Sequence, residues 1–263
     1  MKKIIFIIGV CILVRTSAEA QNESECTARN TAFSIGEQVY YKVSYNWNSL
    51  WLNAGEVSFK VNEGFFNNVP CYHMVGYGST YKSYDMFYKV RDTYESFIDM
   101  KTLKPLRFIR DVNEGGYTIN QNVIFKHNEK EAISSKGTFL IPDCVQDVLS
   151  AIYYARNIDF TKYKKNDTIP VSLFLDDKIY PVYIRYLGKE VVTTKNGKYN
   201  CIKFTPLLIE GTIFKGGEEM KVWVTDDNNK IPVRVESPII VGSVYAELYK
   251  YSGLRNPVSS KLN

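Results

Sequence analysis

The chain of 263 residues has 33 Lys and Arg against 28 Asp and Glu, a formal net charge of +5, and 14% of its residues are aromatic. The two signs of charge are interleaved along the chain. A nucleic-acid-binding protein would concentrate its basic residues on one stripe, so we exclude nucleic acid as a partner. The abundant Tyr and Phe favour strands, because aromatic rings pack well on a pleated, half-buried surface.

Residues 1–20 have the features of a secretory signal peptide. Lys2 and Lys3 precede an apolar run over residues 4–14, and Ala18-Glu19-Ala20 supplies a small-x-small cleavage site. The run has fewer than the ~20 residues that a bilayer-spanning helix needs. We expect cleavage after Ala20, no transmembrane span after cleavage, and a periplasmic or outer-envelope location. The alternative is an uncleaved anchor.

The strand signal is a period of two in the hydrophobic pattern. Residues 39–47 place Val39, Tyr41 and Val43 on one face and polar side chains on the other, which predicts a strand with one buried face. Asn196-Gly197 predicts a tight hairpin turn, because both residues tolerate positive φ. The other predicted strands are residues 57–61, 71–77, 88–98, 106–113, 117–126, 168–175, 179–187, 219–225, 231–236 and 240–250.

One segment, about 143–157, has helical spacing. Asp143 is its predicted N-cap, with Gln146 three positions later as a variant of the capping box. We expect Val148, Leu149 and Ile152 to pack on the sheet, because an amphipathic helix must bury its apolar stripe. The alternative is that the helix covers a ligand cavity.

Two polar residues of this helix, Asp147 and Arg156, are nine positions apart and therefore do not pair with each other. We expect both to reach groups on the sheet as structural residues. The predicted fold class is mostly β: an antiparallel, strongly curved sheet or β-barrel with one helix. The predicted organisation is an N-terminal arm at 21–32, a single β domain at 33–251 and a loose C-terminal tail at 252–263.

Four cysteines remain after the predicted cleavage: Cys26, Cys71, Cys144 and Cys201. Export would place them in an oxidising compartment, and four cysteines allow three full pairings. We predict a Cys26–Cys144 disulfide that ties the N-terminal arm to the start of the helix. Cys71 and Cys201 lie within predicted strands and are expected to be buried thiols.

No motif in the sequence indicates catalysis, a cofactor or a metal site. His73 and His127 are the only histidines, and neither belongs to a metal-ligand spacing. Asp226-Asp227-Asn228-Asn229 lacks the ligand pattern of a calcium loop and is typical of a turn. Large apolar residues cluster around the first hairpin loop, where they either form a contact surface or cap the core: Trp47, Leu50, Trp51 and Leu52.

The order of these landmarks resembles a family of exported bacterial proteins, the domain of unknown function numbered 3108. The resemblance spans about residues 33–250 and rests on Phe33, Gly36-Glu37, Tyr41, Ala54-Gly55, Tyr88, Val90, Asp92, Tyr94-Glu95-Ser96, Asp99, Thr102-Leu103-Lys104-Pro105, the helix 147–156, Gly197-Lys198-Tyr199, Trp223, Asp226-Asp227, Ile231-Pro232-Val233, Gly242-Ser243, Ala246 and Leu248. It implies an antiparallel barrel or curved sheet in the envelope, and no activity. Its shape is similar to that of periplasmic lipoprotein carriers, which hold acyl chains under a helix.

Three functional hypotheses follow. The first is a non-enzymatic envelope binding protein whose aromatic-lined concavity takes an apolar or glycan ligand. The second is a structural or assembly factor that binds another envelope protein. The third is a hydrolase. An open cavity would favour the first, a fully packed interior the second, and two facing carboxylates in a cleft the third.

Overall fold

A computed structural model describes residues 29–48, 50–209, 216–239 and 241–262. In this part of the chain the helix α1 spans Val148–Ala155 and a 3₁₀ turn spans Phe160–Lys162. The strands are β1 Gln38–Trp47, β2 Leu50–Phe66, β3 Val69–Thr80, β4 Arg91–Asp99, β5 Pro105–Glu114, β6 Tyr117–Lys126, β7 Glu131–Ser134, β8 Gly137–Leu140, β9 Val145–Gln146, β10 Thr168–Leu175, β11 Lys178–Thr194, β12 Gly197–Pro206, β13 Lys221–Thr225, β14 Pro232–Pro238, β15 Ser243–Ser252 and β16 Lys261–Leu262.

These strands form one sheet in the order β8-β7-β6-β5-β4-β3-β2-β1-β15-β14-β13-β12-β11-β10-β9, with β16 beside β12. Neighbours along the sheet are antiparallel, except that β9 runs parallel to β10 because α1 connects the two. The sheet is not closed, since β8 and β9 form its two ends. The predicted fold class, an antiparallel and strongly curved sheet with one helix, is confirmed.

Strands form where side chains that can be buried alternate with side chains that face solvent. In β6, Gln121, Val123 and Phe125 are buried while Asn122 and Ile124 face solvent. This is the two-residue period of a sheet with one covered face. The β7–β8 hairpin was not predicted, because strands of four residues contain too few alternations to give a signal.

The sheet curves until strands far apart in its order face each other. Phe125 of β6 and Phe174 of β10 meet edge to face, with ring centroids 5.8 Å apart. Arg110 of β5 forms an ion pair with Asp176, and the amide of Gln121 donates to Asp177 at 3.3 Å. The turn between β10 and β11 therefore lies against β5 and β6, which gives the sheet its barrel-like shape.

The main core lies on the concave side of the sheet and includes the helix. Fully buried side chains from β2–β7 and β10 surround Leu149 and Tyr153 of α1. A second cluster lies under β10–β13, where Phe160 stacks on Phe204 with ring centroids 5.8 Å apart. The helix thus contributes to the first cluster through Leu149 and Tyr153, and the 3₁₀ turn contributes to the second through Phe160.

The C-terminal tail is docked, so the prediction of a loose tail at 252–263 is wrong. Lys261–Leu262 pairs with β12, and the Ser260 hydroxyl donates to Asp227 at 2.9 Å. The buried Asn229 side chain donates to the carbonyls of Asn256 and Pro257 at 2.9 and 3.2 Å. Backbone pairing and a buried amide hold the segment although its sequence has no periodicity.

At the other end of the chain, Asn30 and Ala32 of the predicted arm are buried, whereas residues 1–28 lie outside the described residues. Cys144 is disulfide-bonded, and Cys71 and Cys201 are buried free thiols. Cys26 also lies outside the described residues, so the Cys26–Cys144 pairing stays a prediction. Among the described residues, no helix combines the length and apolar character that a bilayer crossing requires.

Candidate functional site

The helix begins four residues later than its sequence predicts. Asp147, not Asp143, is the N-cap, and its side chain accepts from the Leu149 and Ser150 amides at 2.8 Å. The Ser150 hydroxyl accepts from the Asp147 amide at 2.9 Å and completes a capping box. Val145–Gln146 pairs with β10 instead, which keeps those two residues out of the helix.

Asp147 also reaches the sheet, because the hydroxyl of Ser96 on β4 donates to its second oxygen at 2.6 Å. Burial raises the pKa of Asp147 to about 6, although these hydrogen bonds favour the ionised form. The carboxyl group is fully enclosed. Its role is therefore to fix the start of the helix rather than to contact a ligand.

Arg156, at the other end of the helix, is buried against Glu37. Its Nη1 and Nη2 donate to the two carboxylate oxygens at 2.5 and 2.9 Å, and its Nε donates to the Asn229 carbonyl at 2.9 Å. The Tyr153 ring lies 5.2 Å from the guanidinium. Burial opposes the charge, but the Glu37 carboxylate outweighs burial and raises the pKa of Arg156. No side of this pair is open to solvent, so the site is structural.

The predicted helix stripe is only partly buried. Leu149 is 2% exposed and Val148 is half-buried, but Ile152 is 36% exposed, which corrects the expectation for Ile152. The helix turns Leu149, Ser150 and Tyr153 toward the core and leaves Val148 and Ile152 at its flank. Val148 and Ile152 line an open cleft of about 220 Å³, which we call the apolar cleft. Its lining residues are Val57, Phe59, Gly76, Tyr77, Gly78, Asp92, Tyr94, Val148, Leu149 and Ile152.

Two neighbouring carboxyl groups, Asp92 and Glu114, lie at one end of this cleft, and Asp92 lines it. Burial, and then a hydrogen bond with Asp92, raise the pKa of Glu114 to about 7. Burial also raises the pKa of Asp92, whose Oδ1 accepts from the Asn113 amide at 3.0 Å. Two carboxyl groups in one partly buried site ionise less easily than exposed ones, which is the direction of both pKa shifts.

A larger concavity of about 1070 Å³ lies on the opposite face of the sheet, across β14, β15, β1 and β2. We call it the outer groove, and its lining residues are Lys42, Val43, Ser44, Trp51, Asn53, Tyr81, Ser83, Lys195, Arg234, Glu236, Tyr245, Glu247 and Tyr249. Val39, Tyr41 and Leu248 of the same strands are buried on the core side. The alternation along β1 and β15 therefore separates core from groove.

Charges of alternating sign cross the groove in one row. Strand register places Lys42 opposite both Glu56 and Glu247, and Arg234 opposite Glu247. Arg234 Nε donates to Glu247 at 2.9 Å, and Lys42 forms an ion pair with Glu56. The hydrogen bond from Lys42 lowers the pKa of Glu56 and holds it ionised. The floor of the groove thus offers fixed donors and fixed acceptors side by side.

Aromatic rings lie next to this row of charges. Trp51 and Tyr245 are 4.7 Å apart between ring centroids, and the Lys42 ammonium lies 4.6 Å from the Tyr249 ring centroid. The hydroxyl of Tyr81 donates to Glu56 at 2.8 Å. The groove therefore combines flat apolar faces with directed polar groups, the composition typical of small-molecule sites.

The two histidines lie elsewhere. His73 is stacked on Phe97 and contacts Glu95 at 2.6 Å, and His127 contacts the Pro105 carbonyl at 2.6 Å. Burial lowers the pKa of His127. Asp227 accepts from the amides of its own turn, as expected for a turn residue. In the described ranges no group of three or more His, Cys, Asp or Glu could hold a metal ion.

The open antiparallel sheet with one inner helix and an outer groove defines a barrel-like β protein. The chain belongs to the family described as "Protein of unknown function (DUF3108)", whose profile matches residues 40–249. The resemblance seen in the sequence is thereby confirmed. A search of curated proteins found no match.

Three solved structures are similar to this chain at low sequence identity, and the first of them shares its fold. A β-barrel-like protein of domain of unknown function DUF1849 from Brucella abortus is 11% identical with a TM-score of 0.57, covering 84% of this chain and 99% of that one. A candidate lipoprotein from Parabacteroides distasonis is 14% identical with a TM-score of 0.39, covering 85% and 100%. A candidate exported protein with a YmcC-like fold from Bacteroides fragilis is 12% identical with a TM-score of 0.32, covering 84% and 97%.

Proposed function

We propose that the protein is a non-catalytic binding protein of the cell envelope and that the outer groove holds a glycan. The observation that carries this proposal is the row of alternating charges beside the Trp51–Tyr245 pair. Export is proposed on the signal-peptide features of residues 1–20.

Sugars present two kinds of surface that this groove complements. The C–H face of a pyranose ring packs on flat aromatic rings, and neighbouring hydroxyl groups each need a donor and an acceptor. Lys42 and Arg234 supply donors next to the acceptors Glu56 and Glu247. Because each cation is already balanced by a carboxylate, the row favours an uncharged polyhydroxylated ligand over a strongly charged one.

The dimensions fit several sugar units. Four neighbouring strands span roughly 14 Å at their usual spacing of ~4.8 Å. A volume of about 1070 Å³ is at the upper end of ligand sites, which measure ~300–1000 Å³. The groove is open along its length, which suits a segment of a chain rather than a single enclosed sugar.

In the outer groove, binding rather than hydrolysis is favoured by the state of the two carboxylates Glu56 and Glu247. A glycoside hydrolase needs one carboxyl group that carries a proton. Glu56 is held ionised by Lys42, and Glu247 accepts two hydrogen bonds from Arg234 at 2.9 and 2.5 Å. Both carboxylates are thus engaged as fixed acceptors.

A second candidate function is binding of a small apolar ligand in the apolar cleft. It is favoured by the open flank of the helix, where Val148 and the exposed Ile152 face the rings of Phe59 and Tyr94. At about 220 Å³ the cleft is smaller than most ligand sites. Native mass spectrometry of protein purified from its own host would detect such a ligand as a retained lipid-like mass.

The glycan proposal is tested on an array of neutral oligosaccharides. Tyr245→Ala removes one wall of the aromatic pair and should weaken binding about tenfold, since such ring contacts contribute on the order of 1 kcal/mol or more. Tyr117→Ala is the matched control, an exposed tyrosine on β6 away from the groove. Failure of the wild type to bind any neutral oligosaccharide, or equal binding by Tyr245→Ala, would refute the proposal.

A further inference from the structure

Two neighbouring turns, β1–β2 and β14–β15, lie at the same end of the central strands and expose apolar side chains. β1 pairs with β15, so the β1–β2 turn lies beside the β14–β15 turn: the Tyr45 hydroxyl donates to the Val241 carbonyl at 3.0 Å. Gly242 has φ 78°, and a Cβ there would collide with the Asn46 carbonyl. The two turns are therefore packed backbone to backbone.

Large side chains on these turns face solvent. Trp47, Leu50, Trp51 and Val241 are each between 51% and 56% exposed. Soluble surfaces rarely group apolar side chains of this size, and such a group marks a contact surface. The chain has three tryptophans, and two of them are at this site.

The loop after β3 extends the same surface. Met86 and Phe87 are 82% and 71% exposed. The ring of Tyr84 connects them to the sheet, with centroids 6.0 Å from Phe87 and 6.5 Å from Tyr45. We call the six exposed side chains the apolar tip: Trp47, Leu50, Trp51, Met86, Phe87 and Val241.

The two turns contain no charged residue. Residues 43–55 and 237–246 lack Asp, Glu, Lys and Arg, in a chain of which 23% is charged. The first charged residues beyond these stretches include Lys42, Glu56 and Glu247. Lys42 lies opposite Glu56 on β2 and opposite Glu247 on β15. On β1, Trp47 lies roughly 16 Å beyond Lys42, the nearest charged residue of that strand, at ~3.3 Å per residue.

Basic residues flank this uncharged surface. Lys82 and Lys89 are exposed on either side of Met86 and Phe87, and neither forms an ion pair among the described residues. Asp85, the acid between them, is bound by Arg91 at 2.7 Å. The loop therefore presents a net positive charge next to the apolar tip.

We propose that the apolar tip docks the protein on the surface of an anionic lipid bilayer. Tryptophan is enriched at the boundary between headgroups and acyl chains, because its ring is apolar and its N–H is polar. Segments that lie in this interface bury apolar side chains ~5–10 Å deep and gain from basic residues near anionic headgroups. The uncharged turns are long enough for that depth, and no carboxylate on them repels the lipid.

The β2–β3 turn at the opposite end of the sheet provides the comparison. It also exposes Phe65 and Val69. Its neighbour in the sheet, the β4–β5 turn, carries Asp99, Lys101 and Lys104, so the apolar surface there ends within one turn. Trp51 also lines the outer groove, whereas Trp47 and Leu50 do not, so the vesicle test below is made on Trp47 and Leu50.

The test is co-sedimentation of the purified protein with vesicles of phosphatidylethanolamine and phosphatidylglycerol. Trp47→Ser/Leu50→Ser should weaken vesicle binding about tenfold or more, because each side chain loses its burial in the interface. Lys82→Ala/Lys89→Ala should weaken binding to these vesicles about tenfold at low salt. At high salt this variant and the wild type should bind equally, because salt screens the attraction between lysine and the anionic headgroups. Phe65→Ser/Val69→Ser is the matched control and should bind as the wild type does.

Three outcomes would overturn the proposal. The first is that the wild type fails to sediment with anionic vesicles. The second is that the Trp47→Ser/Leu50→Ser variant, with an unchanged melting temperature, binds as tightly as the wild type. The third is that the wild type forms a dimer without lipid and this variant is monomeric, which would make the apolar tip an interface between two copies of the chain.

Discussion

Arg156 and Glu37 form a buried, doubly hydrogen-bonded ion pair between residues 119 positions apart in the chain. The pair joins the end of the helix to the residue that precedes β1. Its further partners, the carbonyls of Ala32 and Asn229, belong to the N-terminal arm and to the turn before β14. Four separate parts of the chain therefore meet at one guanidinium.

Removing one partner of this pair should destabilise the fold strongly. Arg156→Ala leaves the Glu37 carboxylate buried without its cation and should lower the free energy of unfolding by about 3–5 kcal/mol. Glu37→Ala should cost a similar amount, and the double variant much less than the sum. Denaturant melts measure all three. Arg185→Ala, from the part-exposed Arg185–Glu218 pair, is the control, with an expected cost below about 1 kcal/mol.

Truncation of the two aliphatic helix residues Leu149 and Ile152 to alanine should lower the free energy of unfolding by different amounts. Leu149→Ala should cost about 2–5 kcal/mol, since Leu149 is enclosed by the main core. Ile152→Ala should cost below about 1 kcal/mol, because its side chain already faces the apolar cleft. Thermal melts compare them, and equal costs would contradict the described orientation of the helix.

Glu114 should make stability depend on pH. Its folded pKa of about 7 lies above its ordinary value near 4.5, so the folded protein holds a proton that the unfolded chain releases. The free energy of unfolding should therefore fall as pH rises from about 4.5 to about 7, by on the order of 1–2 kcal/mol after allowance for solvent screening. Glu114→Gln should remove this contribution and leave the one made by Asp147, whereas Glu63→Gln, at an exposed position, should keep both. A pH-independent difference between Glu114→Gln and the wild type would contradict the assignment.

Asn229 should be required for the docked tail. Asn229→Ala removes both hydrogen bonds to the carbonyls of Asn256 and Pro257 and should cost about 1–3 kcal/mol. Hydrogen exchange at the amides of Ser260 and Lys261 should accelerate in the same variant. Asn228→Ala changes an exposed neighbour and should leave both measurements unaltered.

The Cys26–Cys144 pairing is decided by peptide mapping without reduction. A peptide that joins the two cysteines is expected, and a peptide joining Cys144 to another cysteine would refute the pairing. In the chain-entropy model, a loop of over a hundred residues stabilises by about 4–5 kcal/mol, less any strain.

The sequence predicts individual elements well where the signal is local. Residues 39–47 alternate between apolar and polar side chains, and the strand β1 spans Gln38–Trp47. The start of the helix is harder, because Asp143 and Asp147 are both chemically able to cap. The choice depends on the pairing of Val145–Gln146 with β10 and on Ser96 of β4, which are distant in sequence.

The outer groove could not be predicted for the same reason. Lys42 and Glu56 are close in the chain, but Glu247 and Arg234 join them only because β1 pairs with β15 and β15 with β14. Nothing in the residues around Tyr245 indicates which strand lies beside them. The sequence shows that apolar residues cluster around Trp47 and Trp51. Whether they are exposed or cap the core is known only from the structure.

The pairing of β1 with β15 also determines when the protein can fold. Gln38 lies opposite Ser252, so the middle of the sheet cannot form until almost the whole chain is available. Contacts of such long sequence separation make folding slow, because the chain must close a large loop before it gains any of them. Synthesis at ~5–20 residues per second therefore leaves β1 without its partner β15 for many seconds, although β1–β8 can already pair with their neighbours in sequence. During that time β1 keeps an unpaired edge, and an unpaired strand edge is a template on which another chain can add a strand.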